Sequence, residues 1–302
     1  MNIDHILAFD DDAAGPRALA HALGSRLAWV DRHRFPDGEV KLRLPPALDG
    51  TVVIWRGLQQ PDAKLVELMI AAPAARELGA RTLVLVCPYL AYMRQDAAFV
   101  PGEAVSQRHV GRFLAGLFDR VVTIDPHLHR TPSLGAIMPG RLGVVLSAAG
   151  LLGAHAARAV ADPLLLGPDA ESAPWVASAA AAGAAAIGAA WPLEHACCVK
   201  QRDGDHQVRV TLPPGLALRG RAVVLIDDVA STGRTLAAAA AQCHAQGALS
   251  VDVAVTHALF VGNALEALDR AGVRHVWSTD AIPHASNAIS IVPLVADALR
   301  GG

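Results

Sequence analysis

Short apolar runs alternate along the chain with longer segments whose apolar residues recur at helical spacing. The runs Ile6–Phe9, Leu27–Val30, Thr51–Trp55, Thr82–Cys87 and Arg120–Ile124 predict strands in the first half. Leu164–Gly167, Ala184–Ala190, Ala222–Ile226, Ser250–Val255 and His275–Ser278 predict strands in the second. Helical spacing covers Arg17–Leu23, Asp62–Leu78, Glu103–Leu117, Trp175–Ala182, Thr235–Gln246 and Ala264–Ala271. Gly24, Gly79, Gly247 and Gly272 each follow a helical segment and precede a strand, the usual stop signal. Strand–helix alternation of this kind predicts an α/β fold with mostly parallel sheets. At 302 residues the chain has room for two domains. The Gly-, Pro- and Ser-rich stretch Thr131–Gly153 is the natural joint, and the halves share a layout without a direct repeat.

The strongest chemical signal is Arg221–Thr235. The apolar run Val223–Ile226 ends in two carboxylates, Asp227 and Asp228, followed by a hydroxyl-bearing glycine turn and an Ala-rich helical segment. Backbone N–H groups at such a turn, with Ser231, Thr232 and Thr235, can surround a phosphate where the helix dipole favours an anion. The acids suit sugar hydroxyls or a bound Mg²⁺ instead. Phosphate and ribose recognised together at one turn point to chemistry on phosphoribosyl groups.

Other polar positions fall beside predicted strand ends. Phe35, Asp37 and Glu39 surround the Asp37-Gly38 turn of a hairpin; they are simple turn residues or readers of an adenine amino group. Arg94 and Gln95 follow the strand ending at Cys87, where open α/β sheets bind ligands, and Arg94 has a fork suited to phosphate. His127, and His129 beyond it, follow Asp125 at another strand end and could meet a metal or a phosphate. Asp169 ends a strand as Mg²⁺ ligand or helix cap. Lys200 and Arg202 lie in a polar loop, either solvated or placed to neutralise charge on a transferring phosphoryl group.

Composition narrows the classes. With 53% hydrophobic and 18% charged residues, large cores are available. A net charge of −2 gives no case for nucleic acid or an anionic membrane. The start, Met1-Asn-Ile-Asp-His5, has no signal-peptide pattern, and the longest apolar stretch, Ala177–Trp191, is too rich in Ala and Gly for a lipid-facing span. Cys87, Cys197, Cys198 and Cys243 show neither metal nor disulfide spacing and read as reduced residues of a cytoplasmic protein.

Together the motifs resemble the ribose-phosphate pyrophosphokinase (PRPP synthetase) family, in its archaeal-type branch. The resemblance rests on Phe35-Pro-Asp-Gly-Glu39, Pro88–Asp96, Phe99–Ser106, Asp125-Pro-His127, Lys200-Gln-Arg202 and Asp227–Thr235, in that order. It implies two similar phosphoribosyltransferase-like α/β domains, each a mostly parallel sheet flanked by helices. Residues 1–145 would form the ATP-binding side. Residues 146–302 would carry the ribose 5-phosphate loop, with the last helix free to pack back on the first domain. It implies diphosphoryl transfer from Mg-ATP to the 1-hydroxyl of ribose 5-phosphate. Phe35, Asp37, Glu39, Arg94 and Gln95 would bind ATP, the first three across a subunit interface of a homo-oligomer, at least a dimer. His127 and Asp169 would hold Mg²⁺, and Lys200 and Arg202 would stabilise the transferring group. Asp227, Asp228, Ser231, Thr232, Gly233, Arg234 and Thr235 would bind ribose 5-phosphate.

Two departures stand out. The family's Asp-x-Gly-Gly loop is here Asp169-Ala-Glu-Ser172, which loses two glycines and adds Glu171. Arg234 replaces a small residue and is either a cation beside the 5-phosphate or solvent-facing. The competing readings are a non-catalytic regulatory homologue or nucleotide sensor, and a phosphoribosyltransferase that consumes PRPP.

Overall fold

The computed structural model describes residues 1–12, 14–128, 130–203 and 207–301; for 200–203 and 207–209 it describes the backbone alone. Its first elements are β1 (His5–Ala8), α1 (Ala14–Leu23), β2 (Arg26–Trp29), β3 (Asp31–Arg34), β4 (Val40–Arg43), β5 (Thr51–Trp55), α2 (Pro61–Glu77), β6 (Thr82–Cys87), α3 (Ser106–Leu117), β7 (Arg120–Ile124) and β8 (Leu142–Leu146). Then come α4 (Ala149–Ala159), β9 (Leu164–Gly167), α5 (Ala173–Ala186), β10 (His195–Cys197), β11 (Val199–Asp203), β12 (Gln207–Thr211), β13 (Ala222–Ala230), α6 (Arg234–Ala245), β14 (Ser250–Ala258), α7 (Ala264–Arg270), β15 (Val273–Thr279), β16 (Asn287–Ile289) and α8 (Val292–Arg300).

The chain forms two compact units, Met1–Leu146 with Val292–Gly302, and Ser147–Ile291. The first holds a six-stranded sheet in the order β2-β1-β5-β6-β7-β8, parallel throughout. Its central strands are buried apolar runs, as a sheet covered on both faces requires. Leu7, Ile54, Leu83, Leu85 and Val121 pack with Leu68 of α2, Leu114 of α3 and Phe118. Helix α8 closes this unit against α1: Arg300 donates to the Ala22 carbonyl at 2.6 Å, and Arg120 to that of Ala298 at 3.0 Å.

The second unit repeats the plan in the order β10-β9-β13-β14-β15-β16, again parallel. One face packs Leu164, Leu225 and Val253 against Leu236 and Ala240 of α6. The other packs Leu165, Val224 and Ala254 against α4 and α5. These two helices approach closely through small residues. A Cβ on Gly153 would lie 1.9 Å from the Ala179 carbonyl oxygen.

In each sheet the chain runs outward from one central strand in both directions, so the strand order reverses between β1 and β5, and between β9 and β13. Such reversals open a crevice beyond the carboxyl ends of the strands, where α/β proteins place ligands. A two-stranded antiparallel hairpin, β3–β4 or β11–β12, is inserted just before the chain crosses that reversal in each unit.

The strand predicted at Ala184–Ala190 is not formed. Alanine favours helix, so α5 continues to Ala186 and stops at Gly188 (φ 71°); the edge strand is β10. The stretch Thr131–Gly153, expected to be a joint, holds the boundary between the units at Leu146 and Ser147, but it also contains β8 and the start of α4. Lys200 and Arg202, expected in a loop, occupy strand β11, opposite Val210 and Val208.

Candidate functional site

In the second unit, β13 pairs with β9 only as far as Leu225↔Leu166, but with β14 through to Ala230↔Ala258. Asp227 and Asp228 therefore lie in a stretch of strand held on one edge and open on the other, inside the crevice. The Asp228 N–H donates to the Asp227 carboxylate at 3.0 Å. Burial pushes the Asp227 carboxyl well above the ordinary aspartate range, and the negative charges of Asp228 and Asp169 push it further. Asp169, two residues beyond the end of β9, is thus near enough for its charge to act on Asp227.

Beyond the acids the chain turns through Ser231–Gly233 into α6. Gly233 adopts a left-handed conformation (φ 69°, ψ −2°) and no side chain caps the helix. The helical ladder begins only at the Ala237 N–H, which donates to Gly233 at 2.8 Å. The preceding N–H groups of the first turn have no carbonyl of their own helix to reach and carry its positive end, which suits an anion. Ser231 and Thr235 are half-buried here, while Thr232 and Arg234 are exposed. The turn is braced from behind: the N–H groups of Phe260 and Val261 donate to the carbonyls of Ala230 and Ser231 at 2.9 and 3.0 Å.

On the β9 side, Asp169 caps a short 3₁₀ turn, Ala170–Ser172, accepting from the Glu171 N–H at 3.1 Å. Ser172 Oγ donates back to the Asp169 carbonyl at 2.6 Å. The cap reading of Asp169 is thus met through one of its carboxylate oxygens. The side chains of Lys200 and Arg202 lie outside the described residues.

In the first unit the β3–β4 hairpin presents Phe35, Asp37 and Glu39 at its tip. The Phe35 and Gly38 N–H groups close the turn at 2.8 and 2.9 Å, with Gly38 at φ 95°. Phe35 is 39% exposed, its ring edge-on to His33 at 4.8 Å and facing Lys41 at 6.0 Å. Asp31, His33, Lys41 and Arg43 line a cavity of about 360 Å³ on the hairpin's outer face. Arg94 is exposed in the loop after β6. Glu103 holds that loop by accepting from the Phe99 and Val100 N–H groups at 2.7 and 3.3 Å, and Gln95 donates to the Ala97 carbonyl at 3.0 Å. His127 follows β7 after Asp125, whose backbone is left-handed (φ 35°); His129 lies outside the described residues. Among the described residues, no group of three or more His, Cys, Asp or Glu is arranged to hold a metal.

One constellation was not foreseen from the sequence. At the strand-order reversal of the first unit, Arg56 is fully buried, its guanidinium carbon over the Phe9 ring at 4.4 Å from the centroid. It donates to Asp11 and Asp12 at 2.6 Å each and to Glu67 of α2 at 2.5 Å. Lys64, also buried, donates to the Gly57 carbonyl at 2.9 Å. Burial pushes the Asp12 carboxyl up and the Lys64 ammonium down. Burial also pushes Asp11 up, but Arg56, Lys64 and Arg32 outweigh it and hold that carboxyl below its ordinary value. The only sequence signal was the run Asp10-Asp11-Asp12 after one strand and a lone arginine ending another.

A parallel α/β unit with an acid pair and an uncapped, glycine-initiated helix at its strand-order reversal defines a protein that handles phosphoribosyl groups. Comparison with known proteins narrows the class. Residues 6–117 match the N-terminal domain of ribose phosphate pyrophosphokinase, and residues 211–299 match the phosphoribosyl synthetase-associated domain. The chain is 36% identical to the ribose-phosphate pyrophosphokinase of Methanopyrus kandleri, covering 98% of both proteins. It is also 36% identical to that of Halobacterium salinarum, over 93% of this chain and 95% of the relative. The crystal structure of phosphoribosylpyrophosphate synthetase from Mycobacterium smegmatis has the same fold, with a TM-score of 0.80 at 24% identity over 100% of this chain and 98% of that one. The chain belongs to the ribose-phosphate pyrophosphokinase family, and archaeal members are among its relatives.

Proposed function

We propose that this chain transfers the diphosphoryl group of ATP to the 1-hydroxyl of ribose 5-phosphate, giving 5-phosphoribosyl 1-diphosphate and AMP. The observation that carries this reading is the crevice at the end of β13, where Asp227 and Asp228 adjoin the uncapped start of α6. The acids accept from the ribose hydroxyls, and the Ser231–Thr235 turn takes the 5-phosphate. The sugar's 1-hydroxyl oxygen attacks the β-phosphorus and gives up its proton to solvent as the bond from that phosphorus to the AMP oxygen breaks. Such a transfer needs positioning and charge neutralisation more than covalent help. Lys200 and Arg202 supply cations for the transferring group. Phe35, Asp37 and Glu39 read the adenine, and Arg94 and Gln95 bind the nucleotide. Because the adenine-reading hairpin would serve a neighbouring copy, the reading includes a homo-oligomer, at least a dimer.

The donor chemistry fits Mg²⁺. Asp169 and Asp227 offer hard oxygens whose mutual repulsion a cation relieves. Mg²⁺ keeps much of its water and takes one or two carboxylates plus substrate phosphates, so it needs no all-protein cage. Asp169 in the second unit and His127 in the first are each proposed as Mg²⁺ ligands; a bound ion would screen the charge of the phosphates. The reading includes a cytoplasmic location; among the described residues no helix is long and apolar enough to cross a membrane.

Phosphorus NMR of the protein with Mg²⁺, ATP and ribose 5-phosphate tests the reading. AMP appearing with a 1-diphosphorylated ribose is the expected result. ADP as product refutes it, and ATP bound but left intact favours the nucleotide-sensor reading.

A further inference from the structure

The β3–β4 hairpin is not part of the six-stranded sheet. An isolated two-stranded hairpin is marginal by itself, so its direction depends on contacts at its root. Its two faces differ. Asp31, His33, Lys41 and Arg43 are exposed, whereas Arg32 and its cross-strand partner Leu42 are half-buried. Leu42 and Leu44 rest on the core of the first unit. Apolar contact of that kind fixes how near the hairpin lies but is not directional. The directional contact is Arg32, which donates to Glu67 at 2.9 Å and to Asp10 at 2.5 Å.

Glu67 is itself buried, and its two oxygens are divided: one accepts from Arg32, the other from Arg56. Arg56 is in turn held by Asp11 and Asp12 at the end of β1. An unbroken chain of charge-assisted bonds thus runs from the sheet's central strands to the hairpin. Forked, planar bonds of this type constrain angle as well as distance.

We infer that Arg32, through Glu67 and the buried Arg56, is a positioning residue that sets the aim of the Phe35–Glu39 tip, and with it the enzyme's affinity for the nucleotide. This rests on the proposed reading of that tip as the adenine contact. Removing the fork leaves the tip residues intact but lets them swing, so nucleotide binding weakens while the phosphoribosyl site is untouched.

The experiment uses the full-length Arg32→Gln, Arg32→Lys and Phe35→Ala proteins. It compares kcat and the KM for ATP and for ribose 5-phosphate, alongside amide hydrogen exchange over residues 31–43. Arg32→Gln is expected to raise KM for ATP about tenfold, since small misplacements of binding groups cost this much. KM for ribose 5-phosphate and kcat should stay within about twofold, and exchange at the Phe35 and Gly38 amides should quicken. Arg32→Lys keeps the charge but not the fork and should restore part of the loss. Unchanged exchange in Arg32→Gln overturns the anchoring role. So does a uniform loss of kcat and both affinities, which would mark general destabilisation. Quickened exchange with Phe35→Ala leaving KM for ATP unchanged would keep the anchor but remove the adenine reading of the tip.

Discussion

Gly233 joins the acid-bearing strand to the phosphate-receptive helix, and Gly233→Ala tests that junction. The backbone there is at φ 69°, ψ −2°. A Cβ in this left-handed region costs about 1–2 kcal/mol. It would also stand 3.2 Å from the Ala264 carbonyl oxygen, tighter than most Cβ contacts, so the Ala264 backbone must shift by a few tenths of an ångström to admit it. The strain has two outlets. If the turn keeps its shape, the whole cost falls on folding, and the thermal midpoint drops by about 2–8 °C for a protein of this size. If the turn relaxes instead, the N–H groups of the first helical turn leave the phosphate. KM for ribose 5-phosphate then rises by roughly five- to thirtyfold, at tenfold per 1.4 kcal/mol. Melting scans and steady-state AMP formation measure the two together, and their losses should add to the strain. Asparagine tolerates the left-handed region better, so Gly233→Asn should lose less on both counts. An alanine variant with unchanged midpoint and unchanged KM would refute the argument that this turn needs glycine.

Asp227→Asn should flatten the pH dependence of stability in the unliganded protein. The folded carboxyl titrates above the ordinary value of 3.8. The folded state therefore retains a proton that the unfolded chain releases, and stability is full below 3.8 and falls as pH rises through the raised folded value. Denaturant unfolding across that window should lose this slope in the variant; an unchanged slope would place the effect elsewhere. Arg56→Met should destabilise the protein by about 3–5 kcal/mol, because buried Asp12 loses its ion-pair partner and buried Glu67 keeps only Arg32; an unaltered urea midpoint would contradict this. Lys200→Ala should lower kcat about a hundredfold or more while nucleotide binding persists, as expected of a cation that acts on the transferring group. Equal turnover would remove that hairpin from the mechanism.

Much of the architecture was legible because it is local. Val223–Ile226, Thr82–Cys87 and Arg120–Ile124 are apolar runs too short for helices, and the glycines that end the helices are left-handed at Gly24, Gly79, Gly247 and Gly272. Alanine defeated the reading at Ala184–Ala190: with one methyl group it marks burial equally in a helix and a strand, and only the position of Gly188 decides. The acid pair was visible, but not that it lies within a strand, because β13 continues on the strength of its pairing with β14 alone. The Arg56 cluster was not legible. It gathers charges from β1, β5, α2 and the hairpin, and nothing in the spacing of Asp11, Arg56 and Glu67 says that they meet.

The two antiparallel hairpins leave their units at the same point of the strand order, β3–β4 between β2 and β5, β11–β12 between β10 and β13. Neither belongs to the sheet it interrupts. Each lies outside the sheet but is rooted in its unit's core, through Leu42 and Leu44 in one and Val210 in the other, so the root is fixed by packing while the tip is free to vary. If donor contact resides on the tip of one and turnover on the tip of the other, as proposed, the two are separately graftable traits, open to exchange between relatives as short tip cassettes.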